Sequence, residues 1–493
     1  MIYTSTRDNK ISVTSAQAIV QGLSAEGGLF LPGSIPKLYL RELIALAEMD
    51  YIERAEYILS KFLTSYGGWE RDELLGCAKA AYTNTFCSRF VAPVRAFDDS
   101  TDVLELFHGP TSAFKDLALQ IMPRLLTASA RKVKPGRELV ILVATSGDTG
   151  KAALEGFRDV EGTKIVVFYP EEGVSPVQKR QMATQEGGNV RVVAVRGNFD
   201  DTQNGVKAIF GDRDIAAKLR AQGRELTSAN SINWGRLVPQ IIYYFSAYCG
   251  LINKQRINPG EKINFVVPTG NFGNILAGWY AKQMGLPVQK LICASNKNRV
   301  LADFFQTGLY DRNRPFYLTS SPSMDILISS NLERLLYLAG GQKSKVTAGW
   351  MQQLNEAGAY QIPPMLLQGL QKDFWGSSCD EAACAAAIRK AWTEKNYLSD
   401  PHTAVGLHVL DEYRAAMGDE TRSVVVATAS PYKFAANVLD ALGEAVPADE
   451  FEALAALEQK TGTVCPIPLQ GLQEKPERFS EVCDPGDMAR YLG

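Results

Sequence analysis

An α/β fold with open, mostly parallel sheets and a helical N-terminal lobe is the class this sequence predicts. From about Asp102 onward, short β-branched runs alternate with amphipathic stretches, the pattern of strand–helix units. Those runs are apolar without interruption, as strands covered on both faces are. Ahead of Asp102, apolar residues fall instead at helical spacing. At 493 residues the chain is too long for one simple core, so several lobes are expected.

In chain order, the spacing predicts helices over 15–23, 40–49 and 72–86. Strands are expected at VLELF (103–107), LVILVAT (139–145), KIVVFY (164–169), VRVVAV (190–195), INFVVPT (263–269), KLICAS (290–295) and SVVVATA (423–429). Residues 325–400 read as helical again, most clearly in AACAAAIRKAW, and the tail keeps one helix near FEALAALEQK. This divides the chain into a helical lobe (1–95), a small α/β lobe (96–225), a larger α/β domain (226–445) with a helical insertion at about 325–400, and a C-terminal extension (446–493).

Composition excludes several classes. Lys plus Arg is 52 against 54 for Asp plus Glu, a net charge of −2, so no basic excess marks a nucleic-acid binder. Eight cysteines form no CxxC and only three histidines occur, so no metal site is expected and the thiols read as free, in a reducing compartment. No apolar stretch is long enough for a membrane span, and MIYTSTRDNK lacks the apolar core of a signal peptide. A cytoplasmic enzyme acting on a small molecule is the expectation.

Ligands of open parallel sheets collect at the carboxyl ends of strands. Several junctions there are rich in Gly, Asn, Ser and Thr. In FHGPTSAFKDLALQ (107–120), Lys115 stands where a helix begins. The positive helix end lowers a lysine's proton affinity, as a Schiff-base lysine requires. The alternative is a solvated lysine beside Asp116. Thr145, Ser146, Gly147, Asp148 and Thr149 open the next helix, either as an anion cradle or as a capped turn. Gly270, Asn271, Phe272, Gly273 and Asn274 follow a buried strand; their glycines allow close backbone approach to a phosphate. Neither loop is a P-loop or a dinucleotide fingerprint. Thr428 ends the last strand with a neutral hydroxyl, and Ser430 suits a helix N-cap. Asn230, Ser231, Asn233 and Arg236 precede a helix and suit a carboxylate or phosphate, or else a cap with an ordinary surface pair.

Taken together, these pieces resemble threonine synthase, in its bacterial and fungal branch. The resemblance runs along nearly the whole chain: YTSTR (3–7), GLSAEGGLFLP (22–32), HGPTSAFKD, ATSGDTGKAA, VSPVQKRQM (174–182), NFDDTQ (198–203), NSINWGR, PTGNFGN, PSMDILISSNLERLL (322–336), DPHTAVG (400–406) and TASPYKF. It implies a fold type II, tryptophan synthase β-like enzyme using pyridoxal 5′-phosphate. It implies that Lys115 joins the cofactor, that Gly270 to Asn274 hold its phosphate, and that Thr428 meets the pyridine nitrogen. The 145–149 loop would receive the substrate carboxylate, and Asn230, Ser231, Asn233 and Arg236 its phosphate. The implied reaction turns O-phospho-L-homoserine and water into L-threonine and phosphate by γ-elimination and β-addition of water, in a monomer or homodimer without nucleic acid or membrane. A phospholyase giving 2-oxobutyrate, ammonia and phosphate is the alternative on the same scaffold. One departure is Ser430, where many family members carry His; helix capping is the expected role. For His402 a capping or core position is expected.

Overall fold

A computed structural model describes residues 1–64, 68–145, 147–172 and 174–492. Helices cover 15–21, 40–48, 51–63 and 71–82, close to the expected bounds but with one more than was singled out. The first begins with a reciprocal cap. Gln17 N–H donates to Thr14 Oγ1 (3.2 Å), while Thr14 N–H donates to Gln17 Oε1 (2.8 Å). Asp50 and Glu53 do the same for the 51–63 helix.

The strands, in chain order, are β1 (Tyr3–Ser5), β2 (Phe30–Pro32), β3 (Val94–Ala96), β4 (Thr101–Glu105), β5 (Glu138–Ala144), β6 (Thr163–Pro170), β7 (Val190–Val195) and β8 (Arg224–Ser228). After them come β9 (Ile263–Pro268), β10 (Val288–Ser295), β11 (Leu309–Asp311), β12 (Ala359–Gln361), β13 (Phe374–Ser378), β14 (Ser423–Ala427) and β15 (Val482–Cys483). They build two main sheets. The larger runs β13-β10-β9-β14-β4-β3, parallel except for β3. The smaller runs β15-β7-β6-β5-β8, parallel throughout. All seven runs expected as strands are found. Two of the strands not foreseen, β8 (RELTS) and β13 (FWGSS), lie at sheet edges, where a strand is less fully covered and so less apolar.

Sheet membership corrects the expected boundaries. β4 lies in the larger sheet beside β14, although residues 96–225 were assigned to the small lobe. Its first four residues are buried, as suits a strand inside a sheet covered on both faces, and it lies between β14 and β3. The 325–400 insertion contributes β13 to that sheet, and the C-terminal extension adds β15 to the small one.

The N-terminal lobe is fastened to the larger domain by polar and aromatic contacts. Arg7 makes a bidentate pair with Glu333 (2.8 Å for both bonds), and the fully buried Arg334 donates to the Phe30 carbonyl. Trp234 meets Tyr3, Phe62 and Tyr280 edge-on at 5.5–5.6 Å. Among the described residues no helix is long and apolar enough to cross a membrane.

Candidate active site

The carboxyl ends of β4, β5, β9 and β14 converge. A main-chain bridge between Ala113 and Ala429 joins the segment after β4 to the end of β14. Phe114 N–H donates to the Thr428 carbonyl (2.8 Å) and Ser430 N–H to the Ser112 carbonyl (3.0 Å). Lys115, next along the chain, is the first residue of a short helix, Lys115–Leu119. Its ammonium lies 3.1 Å from Ser323 Oγ and 3.4 Å from Asp148 Oδ2. The side chain thus spans from the larger sheet to the loop that follows β5.

Two cations flank Asp148. Lys433, whose side chain is wholly buried, approaches Asp148 Oδ1 at 2.6 Å and donates to the Thr111 carbonyl at 3.1 Å. Gln178 also donates to Asp148 Oδ1 (2.9 Å). Burial opposes the Asp148 charge, yet Lys433 and Lys115 hold its carboxyl far below the usual range. Lys115 itself is pushed down, chiefly by burial; Asp148 opposes the shift, while Lys433 and Arg236 add to it. The expected depression is there, but its cause is desolvation and neighbouring cations rather than the end of a five-residue helix. Burial raises the carboxyl of neighbouring Asp116 to about 7, against two hydrogen bonds from Thr111 that favour its charge.

The remaining candidates divide clearly. Thr145 Oγ1 accepts the amides of Gly147 (3.0 Å) and Gly150 (2.9 Å), so it ties the loop to the first turn of the 148–157 helix, whose N-cap is Gly147. Among the described residues, the amides of Asp148 and Thr149 donate to no partner, and the Thr149 side chain is half-buried. Ser146 lies outside the described residues. Gly147 sits at φ +144°, and a Cβ there would meet Gln178 Oε1 at 2.5 Å. That close approach keeps Gln178 on Asp148.

Asn233 is not ligand-facing. Its Nδ2 donates to the Ile19 and Ser228 carbonyls (2.9 and 3.0 Å), and its Oδ1 accepts the Gly235 amide (2.8 Å). It caps the 234–253 helix and pins the N-terminal lobe, so the expected anion contact is corrected. Asn230 and Ser231 lie half-buried in the turn ahead of it; the Asn230 amide donates to Ser228 Oγ and the Ser231 carbonyl accepts from Asn331. Arg236 differs from all of these. It is buried, donates Nη1 to the Ala229 carbonyl (3.0 Å), forms no ion pair among the described residues, and leaves Nε without a partner. Burial lowers its pKa to about 10, so it keeps its charge at neutral pH.

The loop after β9 has the features of a phosphate cradle. Gly270 has no room for a side chain, because a Cβ would lie 2.6 Å from the Ser323 carbonyl oxygen. Phe272 is left-handed (φ +64°) and anchors the loop by packing on Phe305 and Phe374. Gly273 starts the 273–284 helix, and the amides of Asn271, Phe272 and Gly273 donate to nothing among the described residues. Asn274 Oδ1 accepts from Tyr243 and Tyr244 (2.6 and 2.7 Å), which turns its buried Nδ2 away, without a partner among the described residues. Asn271 is exposed, its carbonyl held by Asn331. Thr428 is buried, and its hydroxyl engages no partner among the described residues. An orphaned amide donor, free helix-end N–H groups and an amine of lowered proton affinity fit a phosphorylated aldehyde cofactor.

Three family models match the chain. A "Pyridoxal-phosphate dependent enzyme" model covers residues 103–429, a "Threonine synthase N terminus" model 2–82, and a "Threonine synthase, C-terminal" model 403–490. "Threonine synthase" of Saccharomyces cerevisiae is 37% identical, with 90% of this chain and 89% of that protein covered. The chain belongs to the threonine synthase family. A crystal structure of pyridoxal-phosphate-bound threonine synthase from Brucella melitensis superposes with a TM-score of 0.88 at 36% identity, covering 100% of this chain and 98% of that one. "Threonine synthase-like 1" of Homo sapiens is 42% identical over 87% of this chain, but only 58% of its own length is covered. The chain thus spans under two thirds of such mammalian relatives. The fold is that of fold type II pyridoxal-phosphate enzymes, and the cofactor of the family is pyridoxal phosphate.

Sequence reasoning missed Lys433, Gln178, Ser323 and the contacts of His402. All four stand in stretches that carried the family resemblance, but none ends a strand. Ser430 does cap the turn of residues 431–434, its Oγ accepting the Tyr432 amide (3.3 Å), as expected.

Proposed function

We propose that this chain converts O-phospho-L-homoserine and water to L-threonine and phosphate. The observation that carries the reading is Arg236: a buried, charged guanidinium with no acidic partner among the described residues, whose charge reaches Lys115. A cofactor phosphate has its own cradle at residues 270–274, so this cation suits a second phosphate, on the substrate. Family membership supports the same reaction.

When bound, pyridoxal phosphate supplies an electron sink for charge developing at the substrate's α-carbon. The protein's part is placement and proton movement. Lys115 Nζ, with its proton affinity reduced by burial and by Lys433 and Arg236, takes and returns protons at the α-carbon and its neighbours. Asp148 keeps that amine aimed between the sheets, and Lys433 and Gln178 keep Asp148 in place. Arg236 neutralises the γ-phosphate as it leaves. The amides of Asp148 and Thr149 face the substrate carboxylate, and Thr428 offers a neutral hydroxyl to the pyridine nitrogen. The substrate is small and diffusible, consistent with a cytoplasmic monomer or homodimer.

A product assay tests this. The holoenzyme is given O-phospho-L-homoserine, and phosphate, threonine and 2-oxobutyrate are quantified together. Equal phosphate and threonine are expected; phosphate with 2-oxobutyrate and no threonine would make the enzyme a phospholyase instead.

Arg236→Met gives an independent check. A charged hydrogen bond to phosphate contributes roughly 1.5–3 kcal/mol, so KM for the phosphorylated substrate should rise by about ten- to a hundredfold. Affinity for pyridoxal phosphate should stay near that of the parent. If KM is unchanged and cofactor affinity falls, Arg236 serves the cofactor and not the substrate.

A further inference from the structure

His402 lies outside the set of residues that face the substrate, yet its contacts reach both arms of the site. It follows Asp400, the N-cap of the 401–417 helix, and is 2% exposed. Its Nδ1 is 2.8 Å from Asp400 Oδ1, and its Nε2 is 3.2 Å from the Ser323 amide nitrogen. A backbone amide only donates, so Nε2 is the acceptor, and the ring proton sits on Nδ1 facing Asp400. Asp400 in turn is fixed by the amides of His402 and Thr403 and by the Thr403 hydroxyl. The imidazole is thereby held in one tautomer and one orientation.

What it holds is the single turn Pro322–Met324. Ser323 Oγ in that turn lies 3.1 Å from Lys115 Nζ and 3.4 Å from Asp148 Oδ2. The Ser323 carbonyl packs against Gly270, where no side chain has room. The turn is therefore clamped between the phosphate loop and His402, with its hydroxyl aimed at the amine. On its other side the His402 ring packs on Phe434 (centroids 5.0 Å apart), the neighbour of Lys433.

We propose that His402 is a positioning residue for Lys115. By accepting the Ser323 amide it keeps the Ser323 hydroxyl on the Lys115 amine, which sets the direction of the nitrogen lone pair for attack on an aldehyde carbon. In that step the amine forms a carbon–nitrogen bond to pyridoxal phosphate, the aldehyde oxygen leaves as water, and both amine protons depart. The inference rests on the proposed function only in taking Lys115 as the cofactor lysine.

The test uses the full-length protein stripped of cofactor, in parent form and as His402→Phe, His402→Gln and Ser323→Ala. Phe keeps the packing on Phe434 but accepts no hydrogen bond, whereas the Gln side-chain oxygen can take the Ser323 amide. Two quantities are read: affinity for pyridoxine 5′-phosphate, which has no aldehyde, and the rate at which the visible band of lysine-bound pyridoxal phosphate appears. His402→Phe and Ser323→Ala should slow the band on the order of tenfold or more, since small misplacements of a nucleophile cost that much. Pyridoxine phosphate affinity should stay within about twofold, as expected for an intact phosphate cradle. His402→Gln should recover most of the rate. An unchanged rate in Ser323→Ala, or equal losses of rate and pyridoxine phosphate affinity in His402→Phe, overturns the proposal. Should His402→Phe not fold, Ser323→Ala and His402→Gln still decide it. Failure of the product assay would leave these rates unaffected, whereas a band that persists in Lys115→Ala would remove the premise.

Discussion

Lys115→Ala is expected to abolish turnover, lowering the rate by about 10²–10⁴-fold or below detection, and to remove the visible band of lysine-bound pyridoxal phosphate. Two lysines approach Asp148, so the assignment needs an argument. Lys433 is wholly buried, with its ammonium committed to Asp148 at 2.6 Å and to the Thr111 carbonyl at 3.1 Å. Lys115 has longer contacts, 3.1 and 3.4 Å, a slightly exposed side chain, and a proton affinity reduced by burial and by neighbouring cations. It is the amine with a reachable neutral form. Removing it leaves Asp148 paired with Lys433, so the fold should survive. Borohydride reduction of the parent holoenzyme followed by peptide mapping should place the cofactor on Lys115. A label on Lys433, or an undiminished band in Lys115→Ala, would sink the assignment.

The legible part of this site was the part written locally. Strand, turn and helix succeed one another within about fifteen residues at Lys115, at Gly147–Asp148 and at Gly270–Asn274, and each junction lies where the pattern placed it, at the carboxyl end of a parallel strand. The illegible part depends on contacts between distant segments. Lys433 meets Asp148 across 285 positions of sequence, and Ser323 meets Lys115 across 208. Nothing in TASPYKF or PSMD announces such a partner. Asn233 shows the converse. Its position before a helix suits an anion site as well as a cap; the Gly235 amide takes its Oδ1, and the Ile19 carbonyl, 214 residues away, takes its Nδ2, which leaves nothing for an anion. The misplaced lobe boundary has the same origin. β4 reads as a strand from its own residues, but its membership in the larger sheet is set by pairing with β14, more than three hundred residues later.

Lys433→Met tests whether the buried lysine supports the chemistry or only fills space. Asp148 is nearly inaccessible, and its carboxyl stays ionised because Lys433 and Lys115 outweigh the desolvation that opposes it. Taking away one partner of a buried pair leaves an uncompensated charge, at a cost of about 3–5 kcal/mol. Because the folded pKa of Asp148 is depressed, its contribution is present at neutral pH and is lost as pH falls through the folded value. The stability gap between parent and variant should therefore be widest near neutrality and narrow below about pH 4, the ordinary aspartate range. Asp148→Asn introduced together with Lys433→Met removes the stranded charge and should recover much of the lost stability. A kinetic effect follows from the same charge. Lys433 helps hold down the proton affinity of Lys115, so in the variant Lys115 keeps its proton to higher pH. The acid limb of kcat, read once substrate has displaced Lys115 from the cofactor, should move upward in pH, in addition to any loss of folded protein. Thermal denaturation across pH and the pH profile of kcat read the two effects separately. A variant as stable as the parent at neutral pH, with an unmoved acid limb, would show that Asp148 needs no second cation and that Lys433 has no part in setting the amine.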